Sequence, residues 1–118
     1  MVKLLSLMKR KEGLSREEFA RWAVEEHAPI GKSMPGIRQY RINVLRADQP
    51  DTEFDGVFEL WFDSIAALQA ALDSDIGIAA RDDAMAHASK RIHLRTEEPA
   101  ILEKEGGAYS KVDSRSCL

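Results

Sequence analysis

Two short stretches of this chain, residues 2 to 9 (VKLLSLMK) and 56 to 62 (GVFELWF), are apolar on both faces of an extended backbone. Strands of that kind need cover from both sides and belong in the interior of a sheet. Two further stretches alternate and have one wet face each. In residues 37 to 46, Tyr40, Ile42 and Val44 alternate with Gln39, Arg41 and Asn43, and in residues 90 to 96, Ile92 and Leu94 alternate with Arg91, His93 and Arg95. These read as edge strands, with the three basic side chains on the polar face of the last one.

Helices fall between them. Ser15-Arg16-Glu17-Glu18 forms a capping box, and Phe19, Trp22, Ala23 and His27 continue at helical spacing to about residue 27. Pro29 makes continuation costly, so residues 29 to 36, with two prolines and two glycines, read as a loop. Asp63 or Ser64 caps a second helix through Ile65, Leu68 and Leu72, and Ser74-Asp75 caps a further helical stretch reaching His87. The order βαββαβ is that of the α+β ferredoxin-like fold, a four-stranded antiparallel sheet with its first and third strands in the middle.

The length of 118 residues suits one domain, expected over residues 1–104, with a polar, mobile tail over residues 105–118. With 44% apolar and 31% charged residues the chain is expected to fold and be soluble. A net charge of −3 and the lack of a basic tract argue against nucleic acid. There is no long apolar run and no secretion signal, so no membrane association is expected and the cytoplasm is the expected compartment. The single cysteine, Cys117, excludes an intrachain disulfide or a CxxC metal clip.

Two helices cover one side of such a sheet, yet the central strands also offer Val57 and Trp61 to the other. A second copy of the chain, packed sheet to sheet, is the expected cover, although Gln39, Arg41, Asn43 and Glu59 share that side.

Among residues able to do chemistry, His27 reads either as a general acid or base beside the Pro/Gly loop or as a helix C-cap. Tyr40 is either a satisfied core tyrosine or a donor to a ligand oxygen. Asp83 and His87, four apart, form a dyad or a solvated pair, and Arg91, His93 and Arg95 an anionic subsite or, more commonly, a charged edge or interface. The histidines have no metal-ligand spacing, and there is no Gly-rich nucleotide loop or nucleophile elbow, so neither metal nor cofactor is expected.

The run Leu14 to Phe19 through Glu26-His27, then Met34-Pro35-Gly36-Ile37, Tyr40, and Glu59 to Ser64, resembles the EthD-type branch of the dimeric α+β barrel superfamily. Within that branch the spacing of His27, Met34-Pro35-Gly36 and Tyr40, with Trp61-Phe62 and Ser74-Asp75-Ile76, is similar to the methylmuconolactone methylisomerases, over residues 3 to 103. The chain departs from them in lacking a cysteine in the second half of its core and in the stretch from Gly77 to Lys90.

The resemblance implies a homodimer with a cavity between sheet and helices in which small ring compounds are transformed without metal. It makes His27 and Tyr40 the catalytic candidates. Trp22, Phe58, Leu60, Phe62 and His87 are then expected to line an apolar pocket for a small aromatic-derived or lactone substrate. The expected activity is a cofactor-independent isomerase or lyase. The alternatives are a cofactor-free oxygenase of phenols and a non-catalytic accessory or ligand-binding protein.

Overall fold

A computed structural model describes residues 1–104, so the expected polar tail and Cys117 lie outside the described residues. The elements are β1 (Val2–Arg10), α1 (Arg16–Arg21), a π-helical stretch (Trp22–His27), α2 (Ala28–Gly31), β2 (Gln39–Val44), β3 (Gly56–Phe62), α3 (Ile65–Asp73), α4 (Asp75–His87) and β4 (Ala88–Glu97). The strands run antiparallel in the order β2-β3-β1-β4, which places the two strands with apolar residues on both faces inside. This is the ferredoxin-like α+β fold.

Register decides which side chains meet the helices. Leu4 pairs with Leu60, Ser6 with Phe58 and Met8 with Gly56, and the helix-facing set packs with Phe19, Trp22 and Leu68 into one core. The capping box forms: Ser15 Oγ accepts from Glu18 N–H and Glu18 Oε1 accepts from Ser15 N–H. Ser64 caps α3. Ser74 both ends α3, donating to the Ala71 carbonyl, and caps α4, accepting from Gly77 N–H.

The helical run does not stop before Pro29. It continues through Gly31, because residues 22–27 widen into π geometry and the backbone bond of Ala28 reaches back five residues to Ala23. Pro29 has no N–H to offer and sits in the last short turn, where none is required. The extra residue per turn also rotates the helix so that Trp22, Ala23 and His27 are all buried. His27 is therefore not a C-cap.

The last strand is turned over relative to the sequence expectation of a charged edge. Arg91, His93 and Arg95 pair with Met8, Ser6 and Leu4, so they share the side that faces the helices. Ile92 and Leu94 lie on the outer face beside Leu7 and Leu5. Antiparallel pairing with β1 forces this, since Leu4 and Met8 are held in the core.

Trp61 needs no second copy to cover it. Lys3 Nζ sits 4.6 Å above its ring and Glu98 Oε1 accepts from its indole N–H, while Lys3 also bridges Glu59 and Glu98. What remains uncovered outside is a patch of Leu5, Leu7, Val57, Ile92 and Leu94, of which Leu94 is 45% exposed. No described helix is long and apolar enough to cross a membrane.

Candidate active site

The helices leave a cleft over the middle of the sheet. It has about 390 Å³ of empty space, including its open mouth. Its enclosed part is narrow: the centre of a water-sized sphere has about 30 Å³ to move in, so a ring-sized guest must displace a side chain at the mouth. Leu4, Met8, Phe58 and Leu60 make an apolar floor, while His27, Tyr40, Ser6, Arg81, Arg91 and His93 bring polar groups to it.

His27 is 5% exposed, and its Nδ1 lies 3.0 Å from Asp83 Oδ2. A carboxylate oxygen only accepts, so Nδ1 carries the proton and Nε2 keeps its lone pair. Nε2 has no hydrogen-bond partner among the described residues. Trp22 holds the arrangement from behind: its indole N–H donates to the same Asp83 oxygen at 3.1 Å, and its ring packs 4.8 Å from His27. The Phe58 ring meets His27 edge-on at 5.6 Å. Burial lowers the His27 pKa below the ordinary histidine value of 6.5, opposed by Asp83 and reinforced by the charge of Arg91. The imidazole is therefore neutral at neutral pH, as a proton acceptor must be.

Tyr40 stands on β2 and points inward over α2. A Cβ on Gly31 would come within 2.8 Å of its phenol oxygen, so a glycine is needed where helix backbone and ring approach. Gly36, at φ 80°, turns the chain between that helix and β2. Burial pushes the Tyr40 pKa well up, so the phenol stays protonated and donates. No acceptor for it lies among the described residues, which leaves it available to a guest in the cleft.

Phe58 and Leu60 line the cleft, as expected from the sequence; Trp22, Phe62 and His87 do not. Phe62 is fully buried in the core. His87 stacks on Trp22, 4.6 Å away, and donates from Nδ1 to the backbone carbonyl of Asp83. The carboxylate that the spacing offered to His87 bonds His27 at 3.0 Å across 56 residues of sequence, while its other oxygen lies 3.5 Å from His87 Nδ1. Asp83 as the His27 partner, and Ser6 and Arg81 as cleft residues, were missed by sequence reasoning, whereas Arg91 and His93, which the sequence offers as part of an anionic subsite, do line the cleft. For Ser6 the visible signal was a lone serine within the apolar run from Leu4 to Met8. Among the described residues no group of three or more His, Cys, Asp or Glu side chains is placed to hold a metal ion.

The family model of the EthD domain matches residues 11–90. No curated protein matches the chain. Among solved structures, an EthD family protein of Bacillus halodurans is 29% identical with a TM-score of 0.72, over 84% of this chain and 99% of that one. A dimeric ferredoxin-like protein of unknown function from Thermobifida fusca is 10% identical with a TM-score of 0.67, over 80% and 88%. SnoaB, a cofactor-independent oxygenase from Streptomyces nogalater, is 14% identical with a TM-score of 0.65, over 87% and 97%.

Proposed function

The chain belongs to the EthD family, and from that premise we propose that it is a cofactor-independent isomerase or lyase acting on a small aromatic-derived or lactone compound in the cleft, with His27 as its proton carrier. The observation that carries this reading is the Nδ1–Asp83 bond, which favours one tautomer and leaves Nε2 of this cleft-lining residue without a hydrogen-bond partner among the described residues. Nε2 would take a proton from carbon next to a carbonyl, Tyr40 would donate to the oxygen on which charge develops, and the imidazolium would return the proton at another position or to a leaving group. Asp83 stabilises the imidazolium while it exists.

His27→Ala is expected to fold and to lose turnover by roughly 10²- to 10⁴-fold, measured on a substrate identified by native mass spectrometry of co-purified ligand and a screen of lactones and phenols. Unchanged turnover in that variant rejects the role.

The likeness to SnoaB in fold supports a second reading, an oxygenase in which the same base deprotonates a phenol and the phenolate itself reduces oxygen. Oxygen uptake stoichiometric with product would favour it. Tight binding of candidate compounds without conversion would favour a non-catalytic ligand-binding protein.

A homodimer is part of the proposal. The uncovered outer patch around Leu5, Leu7 and Leu94 supports pairing sheet to sheet, as does the Thermobifida fusca neighbour, described as dimeric. Leu7→Glu should convert the dimer to a monomer in sedimentation.

A further inference from the structure

Arg91 is a half-buried guanidinium without a partner. Its Nε is out of contact with solvent and has no hydrogen-bond acceptor among the described residues, and no described carboxylate lies within ion-pair distance of it. The acidic groups nearby are committed elsewhere. Asp83 accepts from His27 and Trp22, and Asp82 pairs with Arg81 at the cleft mouth. Arg81 adds a second positive charge close enough to be felt at Arg91.

A second orphan faces the same space. Ser6, 4% exposed, lies between Leu4 and Met8 on the cleft floor, and its Oγ has no partner among the described residues. His93, paired with Ser6 across the sheet, stands beside it on the cleft wall. Burial and the charges of Arg91 and Arg95 lower the pKa of that imidazole and hold it neutral, so it adds no charge of its own to the cleft and is no counter-ion to Arg91.

A buried donor without an acceptor, and a half-desolvated cation without an anion, each make the fold less stable than it would be with an apolar residue in the same place. Finding both in one cleft points to an acceptor that arrives from outside. It must be anionic to match Arg91 and must accept a hydrogen bond from a hydroxyl. A planar carboxylate fits best, because a guanidinium can bind its two oxygens together.

We propose that the cleft binds a small ring compound as its carboxylate, the carboxylate on Arg91 and Ser6 Oγ–H, Arg81 at the mouth, and the ring on the Phe58 and Leu60 floor towards His27. The carboxylate subsite stands on the unpaired groups alone; only the orientation towards His27 rests on the proton-carrier reading. Arg91 and Ser6 are thereby substrate-binding residues, and the ring compound of the proposed reaction is specified as an acid in its ionised form.

The test uses benzoate and benzamide, which share a ring and differ in the charge of the head group, titrated calorimetrically into the full chain at neutral pH and low salt. Benzoate is expected to bind about tenfold or more tightly than benzamide. It should also shift the His93 ring signals in NMR. Arg91→Met should abolish the preference and raise the melting temperature of the ligand-free protein, an effect opposite to the loss of a structural ion pair. Ser6→Ala should weaken benzoate by a smaller factor.

Equal binding of the two probes, binding of neither, or a benzoate preference that survives Arg91→Met overturns the subsite. His27→Ala separates this inference from the proposed reaction. If it abolishes turnover yet keeps the benzoate preference, both stand. If turnover falls while benzoate never binds, the proton carrier stands and the carboxylate subsite falls.

Discussion

Two arginines on the helix-facing side of this sheet are treated in opposite ways. At one end of β1, Arg10 donates from its backbone N–H and its guanidinium to Asp55, at 2.9 and 2.6 Å, and Lys9 approaches the same carboxylate at 3.5 Å. Asp55 is 3% exposed, and both Arg10 and Lys9 pair with it. On β4, Arg91 has no such partner among the described residues. A buried cation with a built-in anion holds two loops and a strand together; one without it is a cost that folding alone does not explain. The difference teaches where to look for chemistry: in the half of the molecule that is electrostatically incomplete.

The comparison can be broken at its complete end first. Asp55→Ala leaves the inward side of Arg10 unpaired and removes two hydrogen bonds, and should cost about 3 kcal/mol, the low end for a broken buried pair because Arg10 keeps some contact with water. Chemical denaturation checks it; a loss below about 1 kcal/mol would mean that the complete end is no more structural than the cleft.

Gly31→Ala drives a methyl group against the Tyr40 ring and should cost about 1–3 kcal/mol by overpacking, with loss of activity because the phenol is displaced. A thermal melt and a rate measurement together distinguish displacement of Tyr40 from general damage to the helix.

Acid separates the two ends by pH. His27 and His93 have folded-state pKa values below that of an unfolded histidine, so the unfolded chain takes up protons first. Their contribution is complete above about 6.5 and is lost as pH falls towards the folded values. At Asp55 burial alone would raise the pKa, but the Arg10 hydrogen bonds and the nearby Arg10 and Lys9 charges outweigh it and leave the pKa lowered. That contribution is complete above about 3.8 and is lost at more acid pH. Stability should therefore decline in two stages, and Asp55→Asn should remove only the second.

The smallest effect is expected where an arginine is paired but exposed. Arg46 bonds Asp48 with 84% of its side chain in solvent, and Arg46→Ala should leave the unfolding midpoint within measurement error. A clear loss there would mean that pairing, rather than burial, sets the worth of these arginines.

How much of this was legible in advance differs from element to element. The apolar runs of β1 and β3 placed those strands inside, and the capping box at Ser15 and the serines at 64 and 74 marked helix starts, because each is a local pattern with a local physical cause. The facing of β4 was not legible, since Ile92 and Leu94 look like a core stripe until pairing with Leu5 and Leu7 carries them outside. Nor was the Asp83 partner of His27, because the nearer histidine at position 87 was the only one that sequence spacing could offer.

The chain by itself determined the order of elements, the two interior strands, the helix caps and the candidacy of His27 and Tyr40. Periodicity, capping and turn chemistry act over a few residues and leave their mark in sequence. Tertiary structure alone decided that Asp83 serves His27, that Gly31 makes room for Tyr40, and that Arg91 and Ser6 meet unpaired in one cleft. Those facts depend on strand register and on a π-helical turn that rotates a helix face. Both are settled by packing between residues far apart in the chain, and no local pattern carries that information.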